Sequence, residues 1–488
     1  MADKPNQRGL AEFGQRTALA GLLLYVAFAP HSVAVSSIGI ALASIGWFLR
    51  VIGGGGLQLR RSKFDLIILL SLLWTLISSL LSAETAISIA KFKASWTVLI
   101  FYLTRAVLTK RWTYLLVAVL IASACAGTLY SLYDVVRGRG VVVAALVEDS
   151  PFLTLDLRRD DTIWRVNGKR VYSTDDIDAL LRSLPANSVV PVSVISQGEH
   201  VERQGLRVTA DVQARPLPSG IVSGGTSHRF RASGWTRHYE TFAELLQMIA
   251  QLALGLAVAH LRNHGPNKYF RFAMVATVIV ALGIVLTAMR TVLIAFAAGA
   301  FLIAWRSTRG VGRVAVTFAL FFLLAFGAVV VSQTRAPGAL LLGDDSSSLR
   351  AQVAKVGLSR IMLHPVFGHG MDAMQKHWNE WGFPGKDMLH LHSTPLQLAF
   401  DRGLPMFALW VWMMTAFWLY MERAEKLARD RSDTNAYGVL LGVLGALTGF
   451  LISSLANYNY GDSEVVMLFW FLMGAAMVAN EQTAEQQH

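Results

Sequence analysis

The sequence predicts an all-α polytopic membrane protein carrying a small α+β insert outside the bilayer. Three observations lead there. Of its 488 residues 54% are hydrophobic and only 16% charged, which excludes an ordinary soluble enzyme. Apolar stretches of about 20 residues recur along most of the chain, the length a helix needs to cross a hydrocarbon core. Between 138 and 213 the pattern changes completely, to short alternating runs and one amphipathic segment.

The apolar runs predict about twelve spans, at 17–30, 33–50, 64–83, 90–108, 112–133, 241–261, 270–288, 291–306, 313–332, 403–421, 436–455 and 463–480. Loop charge orients them, because lysine and arginine are retained on the cytoplasmic side. With the N terminus inside, the inner loops collect Arg50, Arg60, Arg61 and Lys63, then Arg105, Lys110 and Arg111, then Arg262, Lys268 and Arg271. Arg306, Arg309, Arg313, Arg423, Lys426, Arg429 and Arg431 follow the same rule. The outer connections near 31–32, 84–89 and 456–464 contain no lysine or arginine, so both termini are expected in the cytoplasm. No cleavable signal peptide is expected, since the first apolar run leads directly into Pro30-His31 and a second span. The expected organisation is helices 1–5 over 1–137, the insert over 138–213, helices 6–9 over 214–332, a large outer loop over 333–402 and helices 10–12 over 403–488. The excess of 44 basic over 32 acidic residues belongs to topology and anionic lipid rather than nucleic acid. Cys125 is the only cysteine and lies in an apolar run, which excludes disulfides and cysteine–metal sites.

Within the insert, "VVVAALVEDSP" reads as a strand and turn, and "DTIWRVNGKRVYS" as two short strands around Asn167-Gly168. "STDDIDALLRSLP" has a capping hydroxyl, an acidic first turn and helical spacing. A further strand pair is expected around Gly198. This order resembles a PDZ domain over roughly 70 residues. Such domains accept an added peptide strand, so a peptide or protein partner is one expectation and a ligand-free structural insert the other.

Several cations do not follow the charge rule. Lys91 and Lys93 open the fourth span at its outer end, and Arg290 sits in "LTAMRTVLIAF" with almost no loop around it. A cation at that depth is costly unless paired or facing a cavity. The lysines can snorkel to headgroup phosphates; Arg290 points to an anion contact. "SHRFRASGWTRHYETFAELLQ" adds Arg229, Arg231, Arg237 and His238 at the outer surface. These read either as a basic collar for lipid headgroups or as a bidentate grip on a diphosphate.

The outer loop at 333–402 is rich in histidine: His364, His369, His377, His390 and His392. Zinc sites need three or four reachable ligands, and no HExxH occurs, which counts against an intramembrane metalloprotease. His390 and His392 share a face only if extended, and His364 and His369 flank a turn from which they could join them. No GxSxG elbow occurs either. A neutral histidine near water can serve as a general base, so histidine and outer arginines together point to chemistry on a hydroxyl acceptor with an anionic donor.

Taken in order, "RASGWTRHYETFAELL", "TAMRTVLIAF", "LHPVFGHGMD" and "HLHSTPLQLAFDRGLP" resemble the O-antigen ligase family, with its related O-antigen polymerases and oligosaccharyltransferases. The resemblance covers nearly the whole chain except 138–213. It implies a cofactor-free, metal-independent glycosyltransferase of GT-C type in the inner membrane of a Gram-negative bacterium, with its active site on the periplasmic face. Such ligases move a glycan from undecaprenyl diphosphate to a sugar hydroxyl of lipid A–core in lipopolysaccharide biosynthesis. By position, His392 matches the family histidine and is the expected general base, while Arg231 and Arg290 match the catalytic arginines. Arg237, His390, Lys91, Lys93 and Asp372, which closes "LHPVFGHGMD", are the expected substrate contacts. The family usually has asparagine after the histidine where Ser393 stands here, and the PDZ-like insert is atypical. An O-antigen polymerase, a protein O-oligosaccharyltransferase and, from another class, a lipid or polysaccharide transporter are the alternatives. Transporters commonly carry internal repeats and interrupted spans near the midplane. No convincing repeat relates the two halves, and the polar residues gather at the outer face, which favours surface chemistry.

Overall fold

The structure is a computed structural model and describes residues 5–196, 199–236, 238–308, 310–334, 345–385 and 389–481. Arg237 and Gly198 lie outside the described residues. The chain opens with α1 (Pro5–Phe28), α2 (Val33–Arg50), α3 (Asp65–Leu80) and α4 (Thr85–Phe92), which runs through a 3-10 turn into α5 (Leu99–Val107), followed by α6 (Lys110–Arg137). The insert holds β1 (Val141–Leu146), β2 (Thr162–Val166), β3 (Lys169–Arg170), α7 (Thr174–Ser183), β4 (Ser188–Ser196), β5 (Glu199–Val208), α8 (Ala210–Ala214) and β6 (Ile221–Ser223). Then come α9 (Tyr239–His264), α10 (Lys268–Leu286), α11 (Arg290–Ser307), α12 (Val311–Thr334), α13 (Asp345–Leu363), α14 (Ala373–Lys376), α15 (Thr394–Asp430), α16 (Thr434–Ser454) and α17 (Ser463–Asn480).

The protein is a multi-pass helical membrane protein with a small antiparallel sheet. Among the described residues 10 helices are long and apolar enough to cross a membrane, against the twelve expected. The other two expected spans are α1 and α3. Helix α1 begins at Pro5 and carries Arg8, Glu12 and Arg16 in its first half, which dilutes its apolar run. Helix α3 is only 16 residues long, and hydroxyls beyond its end take over the backbone: Ser82 donates to the Ser79 carbonyl and Thr85 to that of Ser82.

The centre of the bundle is made by α9, α16 and α17, which are buried along most of their length. Small residues let α9 and α11 approach α16 closely, as expected where packing rather than hydrophobicity drives helix association. A Cβ on Gly255 would stand 2.4 Å from the Gly442 nitrogen, and one on Gly299 would stand 2.5 Å from the Gly445 carbonyl oxygen.

In the insert the strand order is β5-β4-β2-β1-β6, with β3 paired to β2. The expected hairpin is present, with Asn167 (φ 50) and Gly168 (φ 74) turning the chain between Val166 and its partner Lys169. The expected capping is present too: Ser173 accepts from the Asp176 N–H, and Asp176 accepts from that of Ser173. Strand β6 lies beyond the expected edge at 213 and is new. It pairs with the free side of β1, Val143 opposite Ser223 and Leu146 opposite Ile221.

Helix α15 begins at Thr394 rather than 403, and Gly403 (φ 78, ψ 171) interrupts it. The loop carrying "HPVFGHG" fills this break. The Leu404 N–H donates to the Pro365 carbonyl at 2.7 Å, while His369 and Gly370 donate to the carbonyls of Phe400 and Asp401 at 2.8 and 2.9 Å. The two motifs thus form one packed unit.

Candidate active site

The site begins with how α15 starts. Ser393 is the N-cap, and Pro395 occupies the first turn, where its missing N–H costs nothing. The Leu391 N–H donates to Gln397 Oε1 at 2.7 Å, folding the preceding loop back over the helix start. The loop between α16 and α17 closes over the same point. Thr394 donates through its N–H to the Asn457 carbonyl at 3.1 Å and through Oγ1 to Asn459 Oδ1 at 2.9 Å. Asn457 Nδ2 in turn donates to Ser453 Oγ at 3.0 Å and to Thr291 Oγ1 at 3.1 Å. Thr291 directly follows Arg290, so the starts of α11 and α15 are linked through one asparagine.

His392 is left between these anchors in the left-handed region, at φ 51, a conformation a non-glycine residue adopts only when its surroundings enforce it. Its backbone N–H donates to His390 Nδ1 at 3.3 Å, so neutral His390 carries its proton on Nε2. Burial, His390 and Arg350 together push His392 down to about 3, and burial and Arg350 lower His390 as well. Both imidazoles are therefore neutral at pH 7; the lone pair of His390 is taken by the His392 N–H, and that of His392 is available.

Both line a cavity of about 250 Å³ together with Lys91, Asp372, Glu240, Glu244, Asn457, Tyr458 and Asp462. Lys91 Nζ stands 2.8 Å from Asp372 Oδ2, joining the fourth expected span to the histidine-rich loop. A second cavity of about 90 Å³ shares Lys91, Asp372, Tyr458 and Asp462 with the first. It descends between α3, α15 and α17 along Ile68, Leu72, Met406, Met413, Val466 and Trp470. A polar chamber therefore opens onto an apolar cleft within the bundle.

Of the expected site residues, His392, His390, Lys91 and Asp372 come together at the chamber. Lys93 does not: it is exposed and lines neither cavity. The 3-10 turn that begins at Lys93 rotates it away from Lys91. Arg231 and Arg290 flank the chamber without lining it. Arg231 is buried, its guanidinium 4.3 Å from the Tyr239 ring centre, and Tyr239 precedes the lining residue Glu240. The Ala232 N–H donates to the Leu286 carbonyl at 2.9 Å, bringing this segment to the turn that precedes Arg290.

The remaining histidines do not join His390 and His392. His369 is buried against Phe400 and Trp381, and its Nε2 meets the Arg360 carbonyl at 3.0 Å. His364 packs on His369, and His377 bridges Glu84 and Glu380. Among the described residues no group of three or more His, Cys, Asp and Glu side chains is arranged to hold a metal ion.

Two features were missed in the sequence. Arg350, in α13, pairs with Glu240 at 3.9 Å and acts on both histidines. It lay in "SSSLRAQ", which reads as an ordinary capped helix start. The chamber wall at 457–462 reads in the sequence only as an outer connection without lysine or arginine, although "NYNYGD" is rich in side-chain amide and phenol groups.

A family model, O-antigen ligase (Wzy_C), matches residues 275–411. The match covers somewhat more than a quarter of the chain and includes Arg290, Arg350, Asp372, His390 and His392. No curated protein matches the chain. The chain is thus a multi-pass membrane protein with a segment similar to O-antigen ligases, and the insert and Arg231 lie outside that segment.

Proposed function

We propose that the protein is a metal-independent, lipid-linked oligosaccharide glycosyltransferase, an O-antigen ligase. It transfers a glycan from undecaprenyl diphosphate to a sugar hydroxyl of lipid A–core at the periplasmic face of the inner membrane. The observation that carries this reading is the neutral His392 in a polar chamber continuous with an apolar cleft, the shape that a polyprenyl chain with a phosphorylated head would fill.

In this reading the imidazole of His392 takes the proton from the acceptor hydroxyl as its oxygen bonds to the anomeric carbon. The bond from that carbon to the diphosphate oxygen breaks on the opposite face, and the configuration inverts. Undecaprenyl diphosphate leaves with one more negative charge than it carried in the donor. Arg231 and Arg290 oppose that charge where it develops, and Arg350 adds a third cation on the histidine side. A bound diphosphate anion raises the affinity of His392 for protons, because a nearby negative charge favours the imidazolium. Base strength therefore appears when the donor is in place. His390, Lys91 and Asp372 act as substrate contacts around the chamber.

The test is a reconstitution. Purified protein is incubated with lipid-linked glycan and, in separate reactions, with lipid A–core, a protein acceptor or a second lipid-linked glycan. Product on lipid A–core supports a ligase, and product on the second donor alone makes the protein a polymerase. Full activity of His392→Ala in any of these reactions overturns the assignment of the base.

A further inference from the structure

The insert was expected either to recruit a peptide or to be structural, and its strand edges bear on the choice. An added strand needs a free edge. One edge, β5, exposes Glu202 and Arg207, charges of the kind that discourage strand addition. The far side of β1 would be the other site, beside α7, but β6 occupies it in antiparallel register.

The grip on this segment extends well past β6. The Arg182 guanidinium donates to the Pro216 carbonyl at 2.8 Å, and the buried Asp178 of α7 accepts the Ser219 N–H at 2.7 Å. Ser150 Oγ donates to the Ser219 carbonyl at 2.6 Å, and the Gly224 N–H to that of Val142 at 2.8 Å. Arg139 and Ser227 then form a two-way backbone bridge. Phe230 ends the run, buried with Trp164 of β2 and Ile195 of β4, with the Arg139 guanidinium 4.1 Å from its ring centre. The next residue is Arg231. On β5, burial and the charges of Arg139, Arg231 and Arg165 push His200 down to about 4.

We propose that the insert is a self-liganded clamp: residues 216–224 fill its strand-and-helix groove in cis, and this grip positions Arg231 for the diphosphate. Asp178 is a positioning residue that touches no substrate. The positioning part rests on the role given to Arg231 above; the cis occupancy does not.

The experiment uses full-length protein in nanodiscs, with hydrogen–deuterium exchange and binding of undecaprenyl diphosphate measured on the same samples. Losing a hydrogen bond to a buried carboxylate releases the segment by about tenfold or more. Asp178→Ala is therefore expected to speed exchange across 216–232 and to weaken undecaprenyl diphosphate about tenfold, while Asp178→Asn, which keeps the acceptor oxygen, retains both values. In an Arg231→Ala background Asp178→Ala is expected to add no further loss of affinity, because the two act through one contact. Unchanged exchange overturns the grip. Faster exchange with unchanged affinity, or additive losses, overturns the positioning role. Should Asp178→Ala not fold, Ala145→Cys/Val222→Cys in a Cys125→Ser background decides. These two face each other across β1 and β6, and the oxidised, locked form is expected to bind as tightly as the reduced one. A loss on oxidation shows that the groove must open and overturns the clamp. Wild-type protein that binds no undecaprenyl diphosphate overturns the functional reading instead, and exchange still judges the grip.

Discussion

The His392 backbone N–H donates to Nδ1 of His390 at 3.3 Å, and the two rings meet edge to face with centres 4.4 Å apart. The pair is therefore asymmetric: His390 helps hold a left-handed turn, and His392 is the group held.

This asymmetry predicts different losses. His392→Ala should lower transfer by about 10²–10⁴-fold with normal membrane insertion, the range for loss of a general base. His390→Ala should cost about tenfold, and His390→Asn, whose side-chain oxygen can accept the same N–H, should recover most of it. Initial rates with purified lipid-linked donor compare the three. Equal losses for both alanine variants would contradict the division of roles.

Arg350 predicts a pH effect with a definite sign. Its charge is one of the causes holding His392 near 3, so Arg350→Ala should raise the histidine's affinity for protons. A base works only below the proton concentration that titrates it, so the acid limb of kcat/KM should move to higher pH in the variant. The donor KM should rise at the same time. A pH–rate profile of free enzyme measures the first and a donor titration the second.

The same depressed value governs acid stability. Folding holds His392 near 3 against an ordinary 6.5, so the unfolded chain binds the proton first. The contribution is constant above about 6.5 and becomes progressively unfavourable as pH falls from there towards 3. His392→Gln should melt less steeply with falling pH across that window, and near pH 8 it should show no such advantage. Thermal unfolding in detergent at several pH values reads this directly.

Gly403 predicts a structural loss. Its φ of 78 with ψ of 171 is open essentially only to glycine, and a Cβ there would sit 1.8 Å from the Val366 carbonyl oxygen. Gly403→Ala should destabilise by at least about 1–3 kcal/mol and shift the start of α15, lowering transfer as well. Gly9→Ala, inside α1 with nothing within 4 Å, is the control and should cost no stability.

The sequence resolved what depends on local chemistry. Apolar length located the spans, Asn167-Gly168 marked the hairpin turn, and Ser173 with Asp176 marked the start of α7. Lys91, Asp372, His390 and His392, expected from an out-of-place cation and from the family resemblance, line one chamber. Other features depended on tertiary pairing. Gly403 reads as an ordinary loop glycine until the Pro365 loop packs into it, which is why α15 was expected to begin too late. Strand β6 is three residues long and carries no periodicity; only the vacant side of β1 makes it a strand. Arg350 looked like a helix-face charge, and its reach to the histidines depends on how α13 lies over the chamber.

The bridge between Arg139 and Ser227 has a consequence for the history of such a chain. The backbone leaves the bundle and returns to it at facing residues, so the whole intervening module hangs from a single doorway. A graft at such a doorway leaves the order of the bundle helices on either side, α6 and α9, unchanged. Excision would leave the helical connectivity intact, with a short linker from Arg139 to Ser227. What excision would remove is the hold on the residues leading to Arg231.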